Sequence, residues 1–203
     1  MAGWTVHEGE AVVLPHDNID TDQIIPARFM SASRADGYGG FLLHDLRRNA
    51  DGELLQDFPL NRHPNASIIV AGRNFGNGSS REAAVYALVD AGVRVVIAPA
   101  FGDIFAANAV NNGLLPACVE ETDAERLMHS LEQEAGPITV DLGNCSIASG
   151  LIECGFKLEE NWRTKLVKGW DDIDLTLQCE AEINRFKRQR IQTAPWAWPS
   201  AAE

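Results

Sequence analysis

The chain has 203 residues, 45% of them hydrophobic and 23% charged, with 17 basic and 29 acidic side chains giving a net charge of −12. That length can bury roughly 70% of the unfolded surface without disulfides, and the composition excludes a disordered or low-complexity protein. The acid excess repels phosphate backbones and anionic lipid, so neither nucleic acid nor a membrane is an expected partner.

The longest apolar run, from Val95 to Phe101, is far shorter than the ~18 residues of a membrane span. The first 30 residues show no basic region followed by an apolar one, which points to a cytoplasmic protein. Cys118, Cys145, Cys154 and Cys179 are 27, 9 and 25 positions apart, and no two of the five histidines are three or four apart. Neither pattern is a local metal or cluster motif, so no metal site is expected on this chain.

In chain order, the N-terminal third to about Asn65 is the hardest part to read, with loop-like passages over 31–40 and 49–65. Residues 67–72 read as a buried strand. A Gly-rich loop runs on to Ser79, and 80–91 has helical spacing with Gly92 as its stop. A β-branched strand over 93–98, a helix over 103–111 ended by Gly113 and a strand over 114–119 complete a strand-helix-strand-helix-strand core. An acidic amphipathic helix is expected over 122–134, capped by Thr122 with Glu125 three residues on, and then two paired strands, 138–142 and 145–148, around Gly143-Asn144. Two helices, from about 158 to 190, close the chain. The second starts near Asp171, carries Ile173, Leu177, Ala181 and Phe186 along one side and ends in the basic run Arg185, Lys187, Arg188 and Arg190, which suits its C-terminal dipole. Beyond it, Trp196 and Trp198 stand between prolines in a tail that either packs on a partner or frays.

The segment Gly72-Arg-Asn-Phe-Gly-Asn-Gly-Ser-Ser-Arg-Glu82 joins the first of these strands to its helix. Its glycines let the backbone approach a ligand, while hydroxyls and free N–H groups gather at a helix N-terminus, and Arg81 adds a planar fork for a carboxylate or phosphate. The alternative is purely structural: Ser79 or Ser80 caps the helix and Arg81 pairs with Glu82 or solvent. A dinucleotide fingerprint fails because Gly76-Asn-Gly78 is followed by Ser79-Ser80-Arg81, a P-loop fails for want of its lysine, and a hydrolase elbow fails for want of its second glycine.

Gly-Ser-Ser-Arg-Glu after a Gly-x-Asn-Phe-Gly lead resembles the active-site loop of the aconitase superfamily swivelling domain, in particular that of the isopropylmalate dehydratase small subunits. Asp17-Asn-Ile-Asp-Thr-Asp-Gln-Ile-Ile-Pro26, Phe101-Gly-Asp-Ile-Phe105 and Asn112-Gly-Leu-Leu-Pro116 resemble further signatures of that family, so the likeness runs over most of the chain. It implies an α/β fold, a three-layer β/β/α swivelling domain formed by residues 1–203. It also implies a separate large subunit that carries a [4Fe-4S] cluster and acts on the substrate hydroxyl, none of the cluster being bound by this chain. The implied reaction is a dehydration and rehydration that interconverts 2- and 3-isopropylmalate in leucine biosynthesis.

By the same resemblance Ser79 is the base that takes a proton from the substrate carbon, Ser80 and Arg81 hold the carboxylate and developing charge, and Gly78 belongs to the substrate-binding loop. Thr21, Asp22 and Gln23 match the family's second loop, in which Asp22 orients the serine-arginine loop; an acidic loop cap is the alternative. Arg28, Phe29 and Met30 match the region that reads the substrate's variable group, and the two apolar side chains would line an alkyl pocket, core packing being the alternative. The chain departs from the family pattern at Asn77, where Cys is usual, at Ala83-Ala-Val-Tyr86, where His-Ala-Pro-Trp is usual, and at Ala106, Ala107, Ala109 and Val110. These departures leave two further readings open: the same hydro-lyase chemistry on another substituted malate, and a non-catalytic carboxylate-binding paralogue.

Overall fold

The computed structural model describes residues 2–131 and 135–198. Its centre is a sheet of seven strands: β1 (Val6–Leu14), β2 (Ile68–Ala71), β3 (Val95–Ala98), β4 (Leu115–Cys118), β5 (Gly136–Asp141), β6 (Ser146–Ser149) and β7 (Ile152–Gly155), in the order β4-β3-β2-β1-β5-β6-β7. The first four run parallel, and β2 and β3, Ile-Ile-Val-Ala and Val-Val-Ile-Ala, are buried along their whole length, as strands covered on both faces must be. The α/β class expected from the sequence is the class observed.

The strand absent from the sequence reading is β1, the hinge between the two halves of the sheet. Its second half, Ala11–Leu14, pairs in parallel with Ile68–Ala71, while Val6–Ala11 pairs antiparallel with β5. The first half, Val-His-Glu-Gly-Glu, is only partly covered, so its side chains are polar and its apolar signal is confined to four residues. The short strand β7, which completes the antiparallel half, is likewise a weak and half-exposed pattern, Ile-Glu-Cys-Gly.

Helices α3 (Glu82–Asp90) and α4 (Asp103–Asn111) carry the chain from β2 to β3 and from β3 to β4. The long β1–β2 connection holds the short helices α1 (Thr21–Ile24) and α2 (Pro59–Arg62) and three 3-10 turns, Ala27–Ser31, Arg34–Asp36 and Gly39–Phe41. On one face of the sheet Val12, Leu14, Ile69, Ala71 and Val96 pack with Ile24, Ile25, Ala84, Leu88 and Phe105. On the other, Ile68, Val70, Val95, Ile97 and Leu115 meet Ile138, Val140 and Ile147 and the apolar side of α5 (Glu121–Leu131), through Ala124, Leu127 and Leu131. The curled sheet thus closes over α5. That helix begins one residue before Thr122, so Thr122 lies in its first turn rather than at its cap, and the expected end at Glu134 lies outside the described residues.

The C-terminal region forms three helices where two were expected: α6 (Glu160–Lys168), α7 (Asp172–Leu177) and α8 (Glu180–Thr193). Asp171 caps α7 as expected, its carboxylate accepting from the N–H groups of Ile173 and Asp174 in a capping box. At the break the Thr176 hydroxyl bonds back to the Asp172 carbonyl and the last turn tightens, with the Cys179 N–H donating to Thr176 O at 3.0 Å.

The root of α7 is fixed by Lys165, one of two buried polar side chains among the described residues. Its ammonium donates to Asn111 Oδ1 at 2.9 Å and forms an ion pair with Asp172, which also accepts from Asn111 Nδ2 at 2.8 Å. The Lys165 ammonium and the Asn111 amide hold the Asp172 carboxyl below its ordinary value. A depressed carboxyl pKa adds stability above the unfolded value and loses it as pH falls through the folded one. Asp172→Asn should lower stability at pH 7 by leaving the buried Lys165 ammonium without its counter-charge, by no more than about 1 kcal/mol because the exposed Asp172 carboxylate is screened by solvent, and the gap from the parent should narrow as the pH is brought down into the carboxylate range. Urea unfolding of both proteins at pH 7 and pH 4 measures this.

Candidate active site

Because β1, β2 and β3 are parallel neighbours, the loops that leave their carboxyl ends lie side by side, the usual position of a site in an open α/β sheet. Main-chain bonds join the first two loops: Asn18 N–H to Arg73 O (2.8 Å), Gly76 N–H to Ile19 O (2.7 Å) and Thr21 N–H to Asn77 O (2.9 Å). Side chains add to the seam, the Arg73 N–H donating to Asp17 Oδ1 at 2.7 Å and Asn74 Nδ2 to Asn18 Oδ1 at 2.9 Å. The third loop joins through Phe75, whose N–H donates to Ala100 O and whose carbonyl accepts from Gly102, both at 3.0 Å. Beneath lies an aromatic cluster in which the Phe75 ring meets those of Phe105 and Phe101 edge-on, with centroids 5.5 and 6.4 Å away.

On this floor Ser79 faces Thr21. The two hydroxyl oxygens are 2.8 Å apart, and the Ser79 N–H donates to Thr21 Oγ1 at 3.2 Å. Thr21 is buried at the start of α1, and Asp20 holds that start in place through a capping box with Gln23. Next to it on α1, Asp22 forms an ion pair with Arg81. Arg81 occupies the N-cap of α3, and no side chain caps that helix, whose nine residues begin at Glu82 rather than at Ser80. Neither serine is therefore a helix cap: the Ser79 hydroxyl is engaged across the seam, and Ser80 is exposed. The uncapped N–H groups of the first turn leave the positive end of the α3 dipole at the serine loop.

Gly76, Asn77, Gly78 and Ser79 line a cleft of about 220 Å³ whose other wall is Gly102, Asp103, Ile104 and Phe105, at the start of α4. Ser79, Arg81, Asp22 and Gly78 are thus brought together. Arg28, Phe29 and Met30 are not among the residues that line this cleft. Arg28 pairs through both guanidinium nitrogens with Asp45 and lies 4.5 Å over the Phe29 ring, holding the Asp45 carboxyl, with help from His44, down to about 2. The Phe29 ring stacks on Phe41 at 4.4 Å, and Met30 is exposed. Thr21 is the partner to which sequence reasoning gave no role. The Asp20-x-x-Gln23 capping pattern marks the helix that carries it, but a contact across 58 positions has no local signal.

Among the described residues no group of three His, Cys, Asp or Glu side chains converges as a metal site. Of the four free cysteines, Cys118 reaches the Pro99 carbonyl and is pushed up by burial, and Cys154 is pushed up for the same reason. Cysteines dispersed in this way do not offer the convergent thiolate set that an iron-sulfur cluster needs.

Residues 1–122, which hold the seam and the cleft, match the aconitase C-terminal domain family. Residues 172–198 match a second family, the C-terminal domain of 3-isopropylmalate dehydratase small subunits. The small subunit of Shouchella clausii is 45% identical over 187 residues, covering 91% of this chain and 95% of that one. The small subunit of Shewanella baltica strain OS185 is 46% identical over 195 residues, covering 93% and 97%. A crystal structure of 3-isopropylmalate dehydratase (leuD) from Methanocaldococcus jannaschii superposes with a TM-score of 0.64 at 26% identity, covering 90% of this chain and 99% of the other. The fold is therefore that of an aconitase-type C-terminal domain. The chain belongs to the family of 3-isopropylmalate dehydratase small subunits, whose enzymes are hydro-lyases.

One glycine sets how closely the serine loop approaches α4. Gly76 has φ of +74°, and a Cβ there would come within 2.2 Å of the Phe105 ring. Gly76→Ala should lower stability by roughly 2–4 kcal/mol, combining a left-handed backbone with overpacking, whereas Gly52→Ala, with φ of +83° but open space around it, should cost only about 1 kcal/mol. Denaturant midpoints of the two variants test this ordering.

Proposed function

We propose that this chain is the part of a cytoplasmic isopropylmalate dehydratase that handles the substrate's proton and carboxylate, with residues 1–203 acting as one swivelling domain and a large subunit completing the site. The observation that carries the reading is the placement of Ser79, bonded to the buried Thr21 hydroxyl, beside an Arg81 held by Asp22, on the lip of the cleft.

In this reading Ser79 Oγ takes the proton from the carbon next to the one that bears hydroxyl, while hydroxide departs and an alkene forms. Returning the proton to the carbon that lost the hydroxyl, as hydroxide adds to the carbon that lost the proton, leaves the hydroxyl moved by one position. A serine hydroxyl is a weak base, so its anion needs stabilisation before it can act. Three features of this chain supply it: the Thr21 hydroxyl as a donor to Oγ, the uncapped N-terminus of α3 and the Arg81 guanidinium. Arg81 and Ser80 grip a substrate carboxylate, the Asp22 ion pair aims the fork, and Gly78, at φ of +102°, keeps a side chain out of its approach. Arg28, Phe29 and Met30 serve as the reading region for the branched alkyl group, reached when the partner closes over the cleft. The dispersed cysteines support placing the [4Fe-4S] cluster, and the chemistry of the departing hydroxyl, on the large subunit.

The test uses the complex reconstituted with the large subunit. Ser79→Ala should leave substrate affinity nearly intact and lower turnover by roughly 10² or more, as loss of a general base does. Arg81→Lys should mainly raise the substrate constant, because a point charge cannot reproduce a bidentate grip. Steady-state rates and substrate titrations on both variants measure the split; near-parental turnover by Ser79→Ala in a folded complex would remove Ser79 from the mechanism.

A further inference from the structure

Beyond the Lys165 anchor, the chain runs out into an arm whose helices are largely uncovered, Ala194 alone being buried among its described residues. Neither α7 nor α8 has a buried side chain. Yet the arm is not polar: Ile173, Leu177, Phe186, Ile191 and Trp196 are exposed, Phe186 at 63% and Trp196 at 83%. Along α8, Ile183, Phe186, Lys187, Arg190 and Ile191 follow the three-and-four spacing of a single face. This face mixes apolar and basic side chains in a chain whose net charge is −12. A helix of 14 residues with no core of its own gains little from propensity alone, so a face of this kind is stabilised by what covers it.

The position of the arm indicates what covers it. Helix α4 joins the two regions: Asp103, Ile104 and Phe105 at its start line the cleft, and Asn111 at its end holds Asp172, the first residue of α7. Nine helical residues span about 13 Å, so the root of the arm at Asn111 and Asp172 stands about one α4 length from the cleft. The arm also matches a family named for small subunits, separate from the aconitase-type region that carries the serine loop.

We propose that α7, α8 and the turn Pro195–Ala197 form the docking element with which this chain grips its large subunit. The face of Ile183, Phe186, Lys187, Arg190 and Ile191 seats in a groove of that subunit that is apolar along its floor and acidic at its rim. The proposal rests on the reading above that a large subunit completes the site, and it adds that the grip lies outside the catalytic loops. The basic side chains steer the encounter and the apolar ones hold the complex.

The experiment titrates full-length chain into large subunit and follows complex formation by sedimentation velocity and calorimetry, with the melting temperature of each variant measured alone. The double variant Phe186→Glu/Ile191→Glu should bind about tenfold or more weakly while melting like the parent, and Phe186→Leu should bind nearly as the parent does. Arg190→Glu, a surface exchange, should slow association and flatten its dependence on salt. Parental binding by both the double variant and Arg190→Glu would overturn the arm's role while leaving the proposed function standing. Failure of the parent chain itself to bind large subunit would overturn that function and the docking proposal with it. If the double variant keeps parental affinity for the large subunit but abolishes self-association of the chain, the arm's occupant is a second copy and the proposal is wrong.

Discussion

Everything at the site depends on the seam between the loops after β1 and β2. The parallel register of Leu14 against Ala71 brings the two chain segments together at the same end of the sheet, and main-chain hydrogen bonds from Asn18, Gly76 and Thr21 then hold them along their length. A hydroxyl pair at 2.8 Å between residues 58 apart in sequence is an outcome of that backbone, not its cause. The aromatic cluster of Phe75, Phe101 and Phe105 sets the depth of the seam, and Gly76 and Gly102 allow the third loop to close against it: a Cβ on Gly102 would come within 2.7 Å of Gly76 O.

The same seam separates positioning from chemistry. Asp20 and Gln23 are occupied in capping α1, so the helix presents Thr21 inward and Asp22 outward, toward different partners. Arg81 is only partly exposed and its charge is matched by Asp22, which keeps the guanidinium beside the loop rather than free in solvent. An arrangement of this kind costs little reorganisation when an anion arrives, which is the physical content of preorganisation. The C-terminal arm leaves from the other end of α4, where Asn111 holds Asp172, so its anchor shares no residue with the serine loop.

Much of this was legible in the sequence, and the gaps have physical reasons. The β2-α3-β3-α4-β4 unit carried continuous β-branched runs and glycine stops, and its strands and helices lie within two residues of where the pattern puts them. The hinge strand β1 was hidden because its first half is half-solvated and polar and its two halves serve different partners. The serine loop was recognisable from its residues, but whether Ser79 caps a helix or faces a second loop is decided by a contact that no local pattern encodes. The tail reads as a single helix because its apolar spacing continues through Cys179, whereas the break at 178–179 sits where side chains bond back to the last turn of α7, a contact that apolar spacing does not encode.

The most direct test of this account is the role of the Thr21 hydroxyl, which the structure makes the one side-chain partner of Ser79 Oγ among the described residues. Thr21→Val keeps the buried shape and removes the hydroxyl, while Thr21→Ser keeps the hydroxyl and removes a methyl. Measured in the assembled enzyme, kcat should fall about tenfold or more for Thr21→Val with KM little changed, and should return most of the way for Thr21→Ser. Equal kcat for the parent and Thr21→Val, in a complex of parental stability, would contradict the claim that the seam prepares Ser79 as a base.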